Sequence, residues 1–172
     1  VYTSLAYSQK GLGVSLELKR TNKFSFRQSP LAQGVQGPIN FLPPMAKQNT
    51  YRLTTRFSPA TQEINEQAIQ LDIHYKVNKH LSVGLNISDI QLQENSDFYT
   101  SKNTELYREI TPEFTVRQKR KWQFTGGVQL LRYNILIYQG PGKGDLVKAT
   151  TPYAEFLYRF SSRKSIRVEA QY

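Results

Sequence analysis

The residues best able to do chemistry in this chain are two histidines, one glycine-rich stretch and the charged residues of its strands. His74 and His80 lack a carboxylate at a spacing typical of a metal site, so both are predicted to be surface residues. Residues 140–145 are glycine-rich and basic, but they lack the P-loop spacing and its following Ser or Thr. Strand carboxylates could pair as a glycosidase dyad, although spacing along the chain does not place them across strands. The sequence therefore predicts no catalytic residue, no cofactor, no metal site and no enzyme.

Composition removes several other classes of protein. The chain has no cysteine, which excludes disulfides, thiolate metal sites and cysteine catalysis. Its net charge of +10 would attract nucleic acid. The basic residues, however, lie in tight turns (residues 119–121 and 163–164) or alternate with acids along strands, so no nucleic-acid partner is predicted. No window of about 18 apolar residues predicts a transmembrane helix.

The strongest pattern is a two-residue alternation of apolar and polar side chains. In residues 69–77 every odd position is apolar, and the even positions are Gln70, Asp72, His74 and Lys76. Residues 153–160 and 166–172 alternate in the same way. Because successive strand side chains point to opposite faces, each strand is predicted to have one apolar face and one charged face.

The same alternation predicts the strands. They are residues 1–9, 14–20, 51–57, 68–77, 81–90, 106–117, 122–139 and two further strands joined by residues 161–165. Pro30, Pro38, Pro43 and Pro44 predict that residues 22–50 form a loop with at most a short strand at 39–42. A phase slip at Leu130-Leu131 predicts a β-bulge, and Gly126-Gly127 predicts a bend or close packing.

Loop lengths alternate between short and long in the second half of the chain. Short connections at 78–80, 118–121 and 161–165 separate longer ones at 91–105 and 139–148, as in outer-membrane barrels. The first half breaks this order, so one crossing is miscounted. Either residues 51–57 belong to a long excursion between about residues 27 and 67, they fold into the lumen, or a hidden strand lies at residues 39–42.

A membrane barrel and a soluble β-sandwich share this alternation. Aromatic residues near strand ends favour the barrel, because barrels carry aromatic girdles. These residues are Tyr7, Tyr51, Tyr75, Trp122, Tyr133, Tyr158 and Tyr172. The polar faces also carry both charge signs, such as Glu17 with Lys19 and Arg167 with Glu169. We therefore predict an all-β, antiparallel, up-and-down transmembrane β-barrel, of which this chain is a fragment with about eight strands.

This fold predicts two surfaces. The lipid-facing candidates are Val14, Leu16, Leu18, Ile69, Leu71, Ile73, Val83, Leu85, Ile87, Phe156, Tyr158, Ile166 and Val168. The lumen-facing charged candidates are Glu17, Lys19, Arg52, Arg56, Asp72, Lys76, Arg117, Glu155, Arg159, Arg167 and Glu169. The lumenal arginines could guide anions, but ion pairing that stiffens the wall is the stronger expectation.

Four stretches resemble a family of Bacteroidota envelope proteins of unknown function, domain of unknown function 6029. They are Ala6-Tyr7-Ser8-Gln9-Lys10-Gly11-Leu12-Gly13, Lys19-Arg20-Thr21-Asn22-Lys23-Phe24-Ser25-Phe26-Arg27, Asn40-Phe41-Leu42-Pro43-Pro44 with Lys47-Gln48-Asn49-Thr50-Tyr51-Arg52-Leu53, and Lys164-Ser165-Ile166-Arg167-Val168-Glu169-Ala170-Gln171. The resemblance implies a secreted outer-membrane barrel of which this chain is the middle portion. It implies no catalytic residue.

The expected function is that of a non-enzymatic outer-membrane protein of a Gram-negative bacterium, either a pore or a subunit of an envelope secretion or assembly complex. Residues 1–172 would be part of one barrel domain, with 28–67 as a long excursion. Outer-membrane lipid and lipopolysaccharide are the expected partners, and other envelope proteins are further candidates. The competing hypothesis is a soluble β-rich module that binds glycans on its aromatic side chains.

Overall fold

Eight antiparallel strands form one sheet in which every strand lies beside its neighbours in the chain. The computed structural model describes residues 1–22, 29, 31, 45–59, 65–93, 105–118, 121–139 and 146–172. The elements are β1 (Tyr2–Gln9), β2 (Leu12–Thr21), β3 (Glu66–Lys76), β4 (Leu81–Leu92), β5 (Glu105–Gln118), β6 (Trp122–Asn134), α1 (Ile135–Gln139), β7 (Leu146–Arg159) and β8 (Ser165–Gln171). The sheet is not closed, because β1 and β8 pair on one side only. The prediction of an all-β, antiparallel, up-and-down arrangement is confirmed.

The connections between strands are short at one end of the sheet and long at the other. The turn from β1 to β2 is the tightest, since Lys10 and Gly11 alone join Gln9 to Leu12 with positive φ angles of 35° and 90°. Positive φ at both central residues is the geometry that suits the right-handed twist of a hairpin. We call the end of the sheet that carries this turn the short-turn end, and the opposite end the long-loop end. The alternation holds for all eight strands.

Residues 51–57 are not a strand, which corrects that prediction and removes the conflict in loop order. They form turns, in which the Thr55 amide donates to the Tyr51 carbonyl at 3.1 Å and the Arg56 amide to the Leu53 carbonyl at 3.2 Å. β2 pairs directly with β3, so a single long connection joins them. The possible strand at residues 39–42 lies outside the described residues, as does the glycine-rich stretch 140–145.

The bulge predicted at Leu130-Leu131 is wrong. β6 pairs with β7 in one unbroken register, from Trp122 opposite Tyr158 to Asn134 opposite Leu146. The apolar phase changes because the other face of β6 becomes apolar near its end, where Leu131 and Tyr133 enter a hydrophobic core. β6 then stops at Asn134, whose side chain accepts a hydrogen bond from the Ile137 amide at 3.2 Å and begins α1. Residues 122–139, predicted to be one long strand interrupted by a bulge, therefore form the strand β6 and the helix α1.

A register irregularity occurs instead between β4 and β5. Ile90 lies opposite Tyr107 while Gln91 lies opposite Glu105, which leaves Leu106 as the extra residue on β5. Leu106 is therefore buried in the core. It does not share a face with the alternate residues of β5 that run from Arg108 to Val116. The bulge lies at the long-loop end, where the strands leave the regular sheet.

The sheet has two unlike faces, which are fixed by the register. We call the face that carries Glu17, Asp72, Glu113 and Glu155 the covered face, because residues 45–59 pack on it. We call the opposite face, with Leu16, Leu71, Leu85, Phe114 and Phe156, the open face. The hydrophobic core lies on the covered side at the long-loop end. Its buried members are Met45, Ala68, Ile90, Leu92, Leu106, Tyr107, Leu131, Tyr133 and Ile137.

Close packing was predicted at Gly126-Gly127, and Gly127 allows that prediction to be tested. A Cβ on Gly127 would lie 2.5 Å from the Tyr153 hydroxyl oxygen and 2.8 Å from the Pro112 carbonyl oxygen. We expect Gly127→Ala to lower the free energy of unfolding by about 1–3 kcal/mol, because the backbone cannot move away as a flexible side chain would. Urea unfolding measures the change. Gly13→Ala is the control, since nothing lies within 4 Å of its Cβ position, and a comparable loss there would contradict the packing argument.

Candidate functional site

The open face exposes large apolar side chains along the whole sheet. The exposed ones include Leu5, Leu18, Ile69, Val83, Phe114, Leu130, Phe156, Ile166 and Val168. Register places each of them on the same face as its cross-strand neighbours, as with Phe156 opposite Val168 and Phe124. No described residue outside the strands packs over them, and no second sheet is present in the described ranges. Soluble monomeric proteins rarely expose an apolar patch that extends over a whole sheet, so this face is the first candidate for an interaction surface.

Aromatic rings border the apolar band at the short-turn end of the open face. Tyr7, Tyr75, Trp122 and Tyr158 lie there, within two residues of the strand ends. The Tyr158 and Phe160 rings meet edge to face at 4.9 Å, and those of Trp122 and Phe156 lie 6.2 Å apart. Tyr51 and Tyr133 were also expected near strand ends, but both are buried on the covered side. Tyr172 follows β8 and is exposed.

Charged residues border the band at the long-loop end. The charged residues that the register puts on the open face are all near this end, and they are Arg20, Asp89, Glu105, Arg108, Arg132 and Lys148. Asp89 and Arg108 face each other and pair at 2.8 Å. The sheet therefore presents an uncharged band between an aromatic border and a charged border.

Residues 45–59, which we call the crossing segment, connect β2 to β3 but pack against β5 to β8. The Lys47 ammonium pairs with Glu113 at 3.1 Å, and the Asn49 amide donates to Glu109 at 3.0 Å. The Leu53 backbone amide donates to the side chain of Gln171 on β8 at 2.6 Å. The crossing segment therefore lies over β5 to β8, which form half of the sheet, although the strands that it connects are β2 and β3.

Tyr51 is the aromatic anchor of the crossing segment. Its ring lies 4.4 Å from that of Tyr153, centroid to centroid, and only 8% of the residue is exposed. Burial, followed by the nearby carboxylates of Glu155 and Glu113, raises the pKa of Tyr51 to about 12. Tyr51 is therefore neutral at physiological pH. The Gln129 side chain also donates a hydrogen bond at 3.1 Å to the carbonyl of Thr54, which lies three residues after Tyr51.

Glu109 is a fully buried carboxylate with four hydrogen-bond donors around it. One oxygen accepts from Asn49 at 3.0 Å, Thr111 at 2.9 Å and Gln129 at 2.9 Å, and the other accepts from the Tyr107 hydroxyl at 2.6 Å. All four donors are uncharged. This centre of four hydrogen bonds fixes the crossing segment, through Asn49, to β5 and β6.

The predicted lumen-facing residues divide into two groups. The register puts Glu17, Lys19, Asp72, Lys76, Arg117, Glu155, Arg159, Arg167 and Glu169 together on the covered face. Arg52 and Arg56 are not on a strand but are exposed on the crossing segment, and Arg56 lies over the Phe57 ring at 5.4 Å. All thirteen predicted lipid-facing residues, from Val14 to Val168, lie on the open face.

Charged side chains on the covered face pair with residues of a neighbouring strand more than with residues of their own strand. Lys19, expected beside Glu17, instead pairs with Glu66 at 2.5 Å with both side chains buried. Glu155 pairs with Arg167 of β8, and Arg167, expected beside Glu169, reaches it only at 3.9 Å. Asp72 pairs with His74 at 2.7 Å and accepts from Asn86 at 3.0 Å.

The described residues contain no cluster of three or more His, Asp or Glu side chains able to hold a metal ion. His74 is exposed and pairs with Asp72, whose side chain is partly buried. His80 forms a hydrogen bond through Nδ1 with the Arg117 carbonyl at 2.9 Å. Among the described residues, no helix is both long and apolar enough to span a membrane.

Sequence reasoning missed the centre formed by Glu109, Glu113, Gln129 and Tyr153. Glu109 and Glu113 alternate with the stripe from Arg108 to Val116, so the pattern of β5 alone could have assigned them to the polar face. Their contacts with Lys47 and Asn49 had no signal in the sequence, because residues 22–50 were expected to form a loop with no assigned position on the sheet.

The model of a family of unknown function (DUF6029) matches residues 1–172 of the chain. No curated protein and no solved structure matches it.

Glu109→Gln tests the buried centre. The new amide nitrogen could accept none of the hydrogen bonds that the replaced oxygen of Glu109 now accepts, so we expect the free energy of unfolding to fall by about 1–3 kcal/mol. Chemical unfolding provides the measurement. Glu169→Gln is the matched control, because the ion pair of Glu169 is partly exposed and contributes no more than about 1 kcal/mol. Equal losses in the two variants would contradict the role given to Glu109.

Proposed function

The chain belongs to the family of unknown function DUF6029, and from its two-faced sheet we propose that it forms part of the wall of a transmembrane β-barrel in the outer membrane of a Gram-negative bacterium. The barrel is non-enzymatic and acts as a pore or as a subunit of an envelope complex for secretion or assembly. The unpaired edges of β1 and β8 are completed by further strands. Bacteroidota are the proposed source, from the resemblance noted above.

The observation that carries the proposal is the uncharged, exposed band of the open face. Lipid chains are the solvent in which exposed Leu, Ile, Val and Phe side chains are stable without a protein partner. Aromatic side chains at one border and charged side chains at the other match the change from hydrocarbon to headgroup and water. β2 to β7 have 10 to 14 residues, which meets the length of about 9–11 residues that a tilted strand needs to cross a bilayer.

The covered face would then be the lumenal side of the barrel. There the crossing segment fills the space in front of β5 to β8 and is held by Glu109, Glu113 and the Tyr51–Tyr153 ring contact. A segment fixed in this way obstructs a channel. This favours a narrow or gated pore, or a component of an envelope complex, over a wide open porin.

A soluble glycan-binding module is the second candidate, because exposed aromatic rings such as those of Phe114, Phe156 and Tyr158 could stack on sugars. The two candidates differ in their need for detergent. Protein that stays soluble and monomeric after extraction without detergent would overturn the membrane proposal.

A pair of neighbouring substitutions tests which side meets lipid. Leu71 lies midway along β3 on the open face, between Leu16 and Ile87. We expect Leu71→Arg to lower the free energy of unfolding in lipid vesicles by about 2–4 kcal/mol, because its charge would enter hydrocarbon. Gln70→Arg is the control. It lies on the covered face opposite Glu17 and should change stability by no more than about 0.5 kcal/mol. Equal effects at the two positions would contradict the facing.

Replacing the crossing segment tests its lumenal position. We expect an equal-length Gly/Ser replacement of residues 45–59 to raise single-channel conductance in a planar bilayer, because the side chains that obstruct the lumen would be gone. The same replacement of residues 94–104, in the connection between β4 and β5, is the control for changes at the long-loop end. Unchanged conductance in the first variant, or an equal rise in both, would argue against a lumenal segment.

A further inference from the structure

A basic cavity of about 340 Å³ lies at the short-turn end of the sheet. Its cationic side chains come from three places: Lys79 in the turn after β3, Arg117 at the end of β5 with Lys121 in the turn that follows, and Arg159 at the end of β7. The other residues that line the cavity are His80, Trp122, Gln123 and Leu157. None of the eight lining residues is acidic.

Backbone hydrogen bonds fix these residues around one cavity. The Arg117 amide donates to the His80 carbonyl at 2.8 Å, and the His80 ring bonds to the Arg117 carbonyl at 2.9 Å. The Arg159 amide donates to the Lys121 carbonyl at 2.8 Å. The cations are therefore anchored to the sheet through short turns and do not depend on long loops for their position.

The positive charge of the cavity has no counter-charge within the described part of the chain. Two other cations of the covered face have acidic partners, since Lys19 pairs with Glu66 and Arg167 pairs with Glu155. No described carboxylate forms a salt bridge with Lys79, Arg117, Lys121 or Arg159. The sequence increases this imbalance, because the four short turns carry Lys10, Lys79, Lys119, Arg120, Lys121, Arg163 and Lys164 and no acidic residue. Like charges held this close repel each other, and a bound anion would relieve the repulsion.

We propose that this cavity binds the phosphate group of a small phosphorylated anion. Guanidinium groups such as those of Arg117 and Arg159 bind phosphate oxygens in pairs, and the ammonium groups of Lys79 and Lys121 add point charges. A phosphate monoester carries nearly two negative charges and suits four cations better than a carboxylate with one. The phosphate diester of a lipid headgroup carries one charge but presents the same paired oxygens to the guanidinium groups. The phosphate comes either from a solute at the barrel mouth or from a lipid headgroup at the rim. The proposal goes beyond the barrel, because the cavity is present whichever medium meets the open face.

Trp122 allows binding to be read directly, since it is the only tryptophan in the chain and lines the cavity. The full chain, in nanodiscs of zwitterionic lipid, is titrated with pyrophosphate while Trp122 fluorescence is recorded. A second titration varies the fraction of phosphatidylglycerol in the nanodiscs. Each is repeated with the double variants Arg117→Gln/Arg159→Gln and Lys79→Gln/Lys121→Gln, and with the control Arg163→Gln/Lys164→Gln, which removes two charges from the same end outside the cavity.

We expect a saturable response that weakens about tenfold or more in both cavity variants and stays within about twofold in the control. A response to pyrophosphate identifies a soluble source, and a response to phosphatidylglycerol alone identifies a headgroup. No saturable response to either ligand would overturn the proposal, as would an equal loss in the control variant. The turn variant Lys79→Gln/Lys121→Gln alters no strand residue, so it keeps the test valid if the arginine variant does not fold. None of these outcomes bears on the need for detergent, which tests the barrel separately.

Discussion

The constraint on which the rest of the structure depends is that one sheet must satisfy two unlike environments. A strand sends neighbouring side chains to opposite faces, so the apolar stripe of each strand commits its polar stripe to the other side. In this chain the open face keeps an uncharged band from β1 to β8, while carboxylates and amides gather on the covered face. A slip of one residue in any strand would bury charge in the band and expose apolar side chains to the polar network. The register is therefore fixed by both faces at once.

The covered face is stabilised by polar contacts as well as by a small core. Glu109 is buried with neutral donors on both oxygens, and Glu113 links Lys47 of the crossing segment to the Tyr153 hydroxyl. Burying a carboxylate is unfavourable unless its oxygens are paired, and here the pairing is what holds the crossing segment in place. Toward the long-loop end the same face turns apolar, and Met45, Ile90 and Tyr133 pack there. The crossing segment is thus joined to the sheet by hydrogen bonds at its middle and by hydrophobic contact at its start.

The two ends of the sheet differ in the pairing of their charged residues and in their packing. The long-loop end combines paired charges, such as Asp89 with Arg108, with a hydrophobic core. The short-turn end has basic turns, a border of aromatic rings and a cavity whose cations lack described acidic partners. Such an asymmetry gives the sheet a direction, and in a membrane it would distinguish the side of the tight turns from the side of the long loops.

The sequence by itself determined the strand alternation, the facing of residues such as Leu71 and Asp72, and the basic short turns. These depend on local period and turn chemistry, which the chain carries within a few residues. Only the tertiary structure decided that Glu155 pairs with Arg167, that Lys19 pairs with Glu66, and that residues 51–57 form turns instead of a strand. It also showed that Leu131 follows the register of β6 into a core and does not mark a bulge. The reason is physical: these outcomes come from contacts between residues far apart in the chain, and alternation along one strand contains no information about which strand lies beside it.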